Sequence, residues 1–151
     1  MKIEFTVYGE AKPAGSKTGF VVKDKRTGKA RAIVVDACKT GKPWHAAVAS
    51  AAAEAFQGEL IRGAVAATFR FYFPRPKCHF GTGRNAGTMK PDAPAFVTKA
   101  PDVLKLARNV EDALTKVVYA DDAQITQEFL SKHWGEPARC EVKIETLTTP
   151  V

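Results

Sequence analysis

The segment DVLKLARNVEDALTK, residues 102–116, decides the fold because it is the clearest amphipathic stretch of the chain. Asp102 stands at its start, where a carboxylate is a favourable helix cap. The apolar residues that follow recur at the spacing of one helical face; they are Val103, Leu106, Val110, Ala113 and Leu114. The sequence therefore predicts a helix over residues 102–116 with one face packed against a core.

Strand patterns surround this helix. Residues 2–8 and 139–147 alternate polar and apolar side chains, and residues 64–73 have high strand propensity. The remaining predicted elements are a hairpin with strands at 20–23 and 32–35, a helix over 43–57, a strand over 125–133, and a short strand or turn in VVYADD, residues 117–122. Together they predict an α/β fold of the α+β type, with one mixed sheet packed with helices in a single domain over residues 1–151.

The composition limits the class of protein. The chain has 151 residues with a hydrophobic fraction of 45%, which favours a globular domain with one core over a disordered chain. No apolar stretch is long enough to span a bilayer, and the start MKIEFTVYGE lacks the apolar centre of a signal peptide. We therefore expect a cytoplasmic protein without a membrane segment.

The three cysteines predict neither a disulfide framework nor a zinc site. Cys38, Cys78 and Cys140 are an odd number at wide spacing, and no C-x-x-C pair exists. Cys78 and His79 are adjacent, but a structural zinc site needs about four well-spaced ligands, and the other histidines are distant in sequence. Free, reduced thiols are the better interpretation.

A long loop over residues 74–101 is rich in proline, glycine and basic residues. Connections of this length are functional or mobile, with a tolerated surface insertion as the alternative. The net charge is +7, and positive residues collect in this loop and near the N-terminus. Such a distribution favours contacts with DNA phosphates. The predicted DNA contacts are Lys12, Lys17, Arg75, Lys77, Arg84, Lys90, Lys99 and Lys105.

Acidic residues collect around the predicted helix. Asp102 and Asp112 belong to it, and Asp121 and Asp122 follow it as a pair. Mg²⁺ prefers hard oxygen ligands, often one or two carboxylates with water and phosphate, and can activate a water toward a phosphodiester. A cation such as Arg108 can offset the charge that grows on the phosphate. The alternative is structural: a helix cap, an ion pair between Arg108 and Asp112, and a polar turn.

The run PDVLKLARNVEDALTKVVYADDAQI, Pro101–Ile125, resembles the signature of the RusA family of Holliday junction resolvases. That signature has a Pro-Asp start, a basic residue on the helix, an Asp-Ala-Leu turn, and an Asp-Asp pair before a polar residue and a strand. Three further segments are similar to family members, so the resemblance spans nearly the whole chain: VYGEAKPAGSK (Val7–Lys17), DACKTGKPWHAAV (Asp36–Val48) and FYFPRPKCH (Phe71–His79).

The resemblance implies a homodimeric, Mg²⁺-dependent endonuclease of phage or prophage origin that resolves four-way DNA junctions by paired symmetric nicks. Two symmetric cuts fit two sites related by a two-fold axis. Carried over by residue, Asp102 matches the first catalytic aspartate, Asp122 the late one, and Asp121 its neighbour. These three are the implied metal ligands. Arg108 stands where the family carries a functional lysine, and Asp112 is a further candidate catalytic residue.

One position departs from the family pattern. The family's second aspartate falls on Leu104, whose side chain cannot bind Mg²⁺. Another carboxylate takes over its role, or this branch uses fewer ligands, or activity is lost. Glu111 lies on the same side of the helix about 10 Å away, and Asp112, on the neighbouring polar face, is the preferred substitute. Leu104 therefore keeps one rival open, a catalytically silent protein that binds branched DNA. A second rival is a nuclease of the same fold acting on flaps or other branched replication intermediates.

Overall fold

The structure is a computed structural model that describes residues 1–15, 17–36 and 41–150. Within these ranges the chain forms six strands and two α-helices. In chain order they are β1 (Lys2–Tyr8), β2 (Lys17–Lys23), β3 (Ala30–Asp36), α1 (Gly41–Ala55), β4 (Val65–Phe73), α2 (Val103–Leu114), β5 (Ile125–Trp134) and β6 (Arg139–Thr146). Single 3-10 turns form at Lys77–His79, Gly83–Asn85 and Asp122–Gln124.

Four of the strands form a mixed sheet in the order β1-β6-β4-β5. β6 pairs antiparallel with both β1 and β4, whereas β4 and β5 are parallel. A parallel pair needs a long crossover connection, and the chain between β4 and β5 supplies it as a loop followed by α2. β2 and β3 form a separate antiparallel hairpin. The expected mixed sheet with packed helices is confirmed.

Both helices cover one face of this sheet. α1 packs against β1, α2 packs against β5, and the two helices contact each other. Alternate residues of β4 are buried beneath them, as the period of two along a strand requires. The buried side chains of the covered face include Val65, Phe69 and Phe71 from β4, Val48 and Ala52 from α1, and Leu106, Val110 and Leu114 from α2. The core therefore lies between the helices and one face of the sheet.

The covered face of β5 carries polar as well as apolar side chains. Its parallel register pairs Glu128, Lys132 and Trp134 with buried residues of β4, so these side chains lie on the same face as the helices. Because β5 is the last strand of the sheet, this face is reachable from solvent at its edge. Glu128 and Trp134 are about 20 Å apart along the strand at about 3.3 Å per residue.

The element boundaries differ from the predicted ones by a few residues. α1 begins at Gly41 and ends at Ala55, two positions earlier than expected at each end. VVYADD forms a turn with an isolated bridge between Ile61 and Tyr119, and a 3-10 turn follows. The hairpin strands β2 and β3 are longer than predicted. Tertiary contacts, which local patterns do not encode, extend or trim these ends.

Asp102 occupies the N-cap position of α2, but its side chain makes no capping hydrogen bond, contrary to expectation. Its carboxylate pairs instead with Lys105 one turn later, with Nζ 3.4 Å from Oδ2. The cysteine interpretation holds where it can be seen, since Cys78 is exposed and Cys140 is buried, both as free thiols. Cys38 lies outside the described residues.

The loop over residues 74–101 is folded. Nη1 of Arg75 donates to the carbonyl oxygen of Pro94 at 2.7 Å, which joins its two halves. Nζ of Lys132 donates to the carbonyl oxygens of Lys99 at 2.8 Å and Pro101 at 3.0 Å, which attaches the end of the loop to β5. In the described part of the chain, no helix has the length and apolar character that crossing a membrane requires.

Candidate active site

Carboxyl groups gather at the C-terminal end of α2. The last turn of this helix carries Glu111 and Asp112, and Glu128 reaches toward them from the covered face of β5. Asp122 begins the 3-10 turn that follows. The carboxyl group of Glu128 lies close enough to raise the pKa of Glu111, and the charges of Asp122 and Asp112 also act on Glu111. We call Glu111, Asp112, Asp122 and Glu128 the acidic cluster.

Burial and mutual repulsion raise pKa values within the acidic cluster. Burial is the largest cause that raises the pKa of Glu111 to about 8, followed by the hydrogen bond and charge of Glu128 and by the charges of Asp122 and Asp112. The pKa of Asp122 is raised by partial burial, then by its hydrogen bond with Asp121. Glu111 is half-buried, and the other three carboxylates are exposed. Carboxyl groups with pKa values raised by burial and by neighbouring carboxylates are typical of functional sites.

Gln124 attaches the acidic turn to the body of the protein. Its Nε2 donates to the carbonyl oxygens of Ile61 at 2.9 Å and Gly63 at 2.8 Å. Its Oε1 accepts from the amide of Asp121 at 2.9 Å, and the carboxylate of Asp121 accepts from the amide of Ala123 at 2.8 Å. This reciprocal capping box commits Asp121 to the backbone of the turn. The neighbouring aspartate is the one that joins the acidic cluster.

Asp102 lies at the other end of α2 from the acidic cluster. The helical rise from Asp102 to Asp112 is roughly 15 Å at 1.5 Å per residue. Its charge is not among the causes that raise the pKa of Glu111 or Asp122. Over the three described ranges, no three acidic, histidine or cysteine side chains form a ready cation cage. Among the described residues, therefore, neither the set Asp102, Asp121 and Asp122 nor the acidic cluster is preassembled as a cation cage.

An exposed stripe of α2 joins its two ends. Leu104, Arg108 and Glu111 follow one another at spacings of four and three residues, which places them on one side of the helix. Leu104 is 68% exposed and so contributes little to the core. Arg108 forms no salt bridge with any acidic residue that the structure describes. Its guanidinium therefore lies within one turn of the acidic cluster without a competing carboxylate partner.

The donor set of the acidic cluster fits a hard divalent cation. All four side chains are carboxylates, the ligand type that Mg²⁺ prefers. A cation among them would relieve the repulsion that raises the pKa of Glu111. A complete protein cage is unnecessary, because Mg²⁺ often binds one or two carboxylates and fills its shell with water and phosphate oxygens.

The loop that carries Lys12 is held against α2 by a buried asparagine. Nδ2 of Asn109 donates to the carbonyl oxygens of Lys12 at 3.0 Å and Gly41 at 3.1 Å. The amide of Ala14 donates to the carbonyl oxygen of Lys105 at 3.0 Å. These bonds place the N-terminal loop and the start of α1 beside the polar face of α2. Two predicted DNA contacts, Lys12 and Lys105, therefore lie in adjoining segments.

The other predicted DNA contacts are dispersed. Nζ of Lys12 lies 3.6 Å from Glu10, whereas Lys105 pairs with Asp102. The exposed lysines and arginine of the loop over residues 74–101 are Lys77, Arg84, Lys90 and Lys99, and none forms a salt bridge within the described residues. Arg75 and Lys99 both approach the indole of Trp134. Lys17 begins β2, but its side chain lies outside the described part.

Sequence reasoning missed Glu128 and Gln124. Glu128 belongs to the cluster only because β5 pairs in parallel with β4 beneath α2, and no local pattern reports that pairing. A signal for Gln124 did exist, since an acidic residue followed three positions later by glutamine is the spacing of a capping box. The sequence favoured Asp112 over Glu111 as the carboxylate that replaces the family's aspartate at Leu104. The structure brings both residues into the cluster.

The chain is similar to known proteins over most of its length. A family model with the description Endodeoxyribonuclease RusA matches residues 13–145, which include α2, the acidic turn and the loop over residues 74–101. The chain is also 30% identical over 151 residues to a protein of Bacillus subtilis (strain 168) named Uncharacterized protein YqaN, and the alignment covers 97% of each chain.

Proposed function

Because this chain belongs to the RusA endodeoxyribonuclease family, we propose that it is a Mg²⁺-dependent endonuclease that resolves Holliday junctions by paired symmetric nicks. The observation that carries the proposal is the acidic cluster, in which the pKa of Glu111 is raised to about 8. Carboxylates with a purely structural role would be expected to pair with cations. No salt bridge within the described ranges includes any member of the cluster, which favours a functional role.

Asp122 and Asp112 are the proposed first ligands, with the Glu111–Glu128 pair beside them to balance the charge of the ion. When bound, Mg²⁺ supplies a Lewis acid for the phosphodiester and lowers the pKa of a water. Arg108 offsets the negative charge that develops on the phosphate. The family signature alone adds Asp102 and Asp121 as ligands; the contacts of Asp121 favour a capping role for it instead.

The proposed partners are a four-way DNA junction and a second copy of the chain. Two nicks on opposed strands need two sites related by a two-fold axis. The net charge of +7 supports binding to a polyanion. The exposed cations Lys77, Arg84 and Lys90 support it further, because phosphate contacts supply most of the affinity for DNA.

A catalytically silent protein that binds branched DNA is the second candidate, and Leu104 is the observation that favours it. An apolar side chain that is 68% exposed stands where the family carries a carboxylate. Leu104→Asp restores that charge on the stripe that ends at Glu111. If the chain is a silent binder, this variant acquires Mg²⁺-dependent cleavage that the unmodified chain lacks. If Asp112 already serves, cleavage by the variant stays close to that of the unmodified chain.

A gel assay separates these candidates. A four-way junction labelled on each strand in turn is incubated with the protein, with and without Mg²⁺, beside linear duplex of the same sequence. We expect two nicks at symmetry-related positions, on the junction and only with Mg²⁺. Shifted but uncut junction supports the silent binder, and equal cutting of flaps or forks supports a broader nuclease. If the protein neither binds nor cuts the junction, both proposals are refuted.

A further inference from the structure

Trp134 lies at the far end of β5 from the acidic cluster and forms a wall of a cleft. This cleft has a volume of about 180 Å³, and its apolar lining includes Phe73, Pro74, Val97 and Pro101. A cavity of about 150 Å³ in a protein accepts a benzene ring. The cleft therefore has room for one aromatic ring system in contact with the indole.

Cations surround this indole. Cζ of Arg75 and Nζ of Lys99 each lie 5.5 Å from its ring centroid. The imidazole of His79 meets it edge-on, with ring centroids 5.1 Å apart. Lys99 belongs to the cleft described above, and Arg75 belongs to a second cleft of about 170 Å³ that shares the Trp134 wall. Each cleft thus places a positive charge beside the indole.

The indole N–H of Trp134 is buried and has no acceptor among the described residues. The indole N–H of Trp44 in the core is also without an acceptor, so the N–H alone does not distinguish Trp134.

Glu10 distinguishes which part of a nucleotide fits. Glu10 lines the cleft together with Lys99, and its carboxylate Oε1 lies 3.6 Å from Nζ of Lys12. A phosphate inside the cleft would be repelled by this carboxylate, whereas the amino group of a base can donate a hydrogen bond to it. The chemistry favours a base inside the cleft and phosphates outside it, against Lys99 and Arg75.

We propose that the Trp134 cleft binds an unstacked nucleobase of the branched DNA while Lys99 and Arg75 hold the flanking phosphates. The proposal rests on the proposed function, because a branch point supplies bases that are free to leave the stack. Aromatic and guanidinium planes bind such bases by stacking. β5 sets the cleft about 20 Å from the acidic cluster, which is about six nucleotides of a duplex strand at 3.4 Å each. The bound base therefore lies within about six nucleotides of the nick.

Trp134 itself reports on this binding. The chain has two tryptophans, and Trp44 is 5% exposed, so contact of DNA with an indole changes the emission of Trp134 alone. A four-way junction is titrated into the full chain in EDTA, with saturation verified by gel shift. We expect quenching by the junction and not by linear duplex, and the same quenching in Trp44→Phe. Unchanged emission at saturating junction overturns the proposal.

A double-mutant cycle tests the contact without relying on fluorescence. Trp134→Leu keeps an apolar side chain and removes the stacking face, so junction affinity should fall roughly 5- to 100-fold with an unchanged salt slope. Lys99→Ala should lower the slope by about one phosphate. An abasic nucleotide is then placed at each position near the nick. At one position, removing the base should lower the junction affinity of the unmodified chain by as much as Trp134→Leu does. The same abasic junction should bind to Trp134→Leu with no further loss of affinity. If the loss of affinity from the abasic nucleotide and the loss from Trp134→Leu are additive at every position, the proposal is overturned.

Controls separate this site from the proposed function. Thermal melting establishes that each variant is folded. Lys2→Ala removes an exposed cation of β1, outside the cleft and outside the predicted DNA contacts, and it should leave the quenching intact. If Trp134→Leu binds and nicks like the unmodified chain, the base site is refuted and the nuclease stands. If the junction quenches Trp134 but is never nicked with Mg²⁺, the base site stands and the nuclease is refuted.

Discussion

At the scale of single residues, Asp121 and Asp122 are neighbours with different contacts. The side chain of Asp121 caps its own turn, whereas Asp122 belongs to the acidic cluster, where the charge of Asp112 acts on it. Asp122→Asn should lower the single-turnover rate at saturating Mg²⁺ by about 10² or more, because one charge that attracts the ion is lost. Junction binding should persist or tighten. Asp121→Asn keeps an acceptor oxygen for the cap, so it should cut at nearly the unmodified rate.

The control for this pair is Asp102→Asn, measured in the same assay. A loss as large as that of Asp122→Asn would show that Asp102 is a ligand in the DNA complex. Cleavage at the unmodified rate by Asp122→Asn would contradict the proposed site outright.

Glu111 makes stability depend on pH in a definite direction. Its pKa is about 8 in the folded chain against 4.5 for an ordinary glutamate, so the folded state binds more protons between these values. Stability from this group is complete below about pH 4.5 and is lost as the pH rises toward 8. Glu111→Gln should therefore gain stability relative to the unmodified chain across this window. Urea unfolding at several pH values measures the difference.

The matched control is Glu54→Gln, which changes an exposed glutamate of α1. It should show no such trend with pH. Mg²⁺ should narrow the stability difference between Glu111→Gln and the unmodified chain, because a cation in the cluster favours the ionised carboxylate of Glu111. A gap that does not change with pH would contradict the assigned cause.

At the scale of elements, α2 and β5 show what the sequence can and cannot reveal. The period of apolar residues over 102–116 predicts α2 within two residues of its ends, because a one-sided helix must bury that side. β5 was also predicted as a strand. Its partner was not, because parallel pairing joins residues distant in sequence through tertiary packing. Glu128 and the Trp134 cleft both depend on that pairing, so they escaped prediction, whereas Asp122 did not.

The end of α2 contains a strained position. Lys116 has a φ of 63°, in the left-handed region that costs a residue with a Cβ about 1–2 kcal/mol. Glycine is the usual residue just past a helix end in this conformation. Lys116→Gly should raise the free energy of unfolding by about 1 kcal/mol and the melting temperature by about 2–4 °C. Lys116→Ala keeps the Cβ and should show no gain; equal effects of the two would disprove strain as the cause.

At the scale of the whole molecule, the distribution of charge predicts how affinity responds to salt. The loop over residues 74–101 carries several exposed cations, whereas the acidic cluster carries the opposite charge. If six or more phosphates are engaged, junction affinity should fall about 10³-fold or more between about 50 and 200 mM salt. Fluorescence anisotropy measures the slope, and Arg84→Ala should reduce it by about one. A flat response would contradict phosphate-dominated binding.

The attachment of the acidic turn has a consequence for how this chain tolerates change over generations. Gln124 binds the carbonyl oxygens of Ile61 and Gly63, and every amino acid supplies a carbonyl oxygen. The exposed Arg62 between them is therefore free to change without loss of these two bonds, whereas Ile61 is also constrained by its buried side chain. Gln124 has no such freedom, because its amide both donates to that segment and accepts from Asp121. A glutamate there loses the donor and a lysine loses the acceptor.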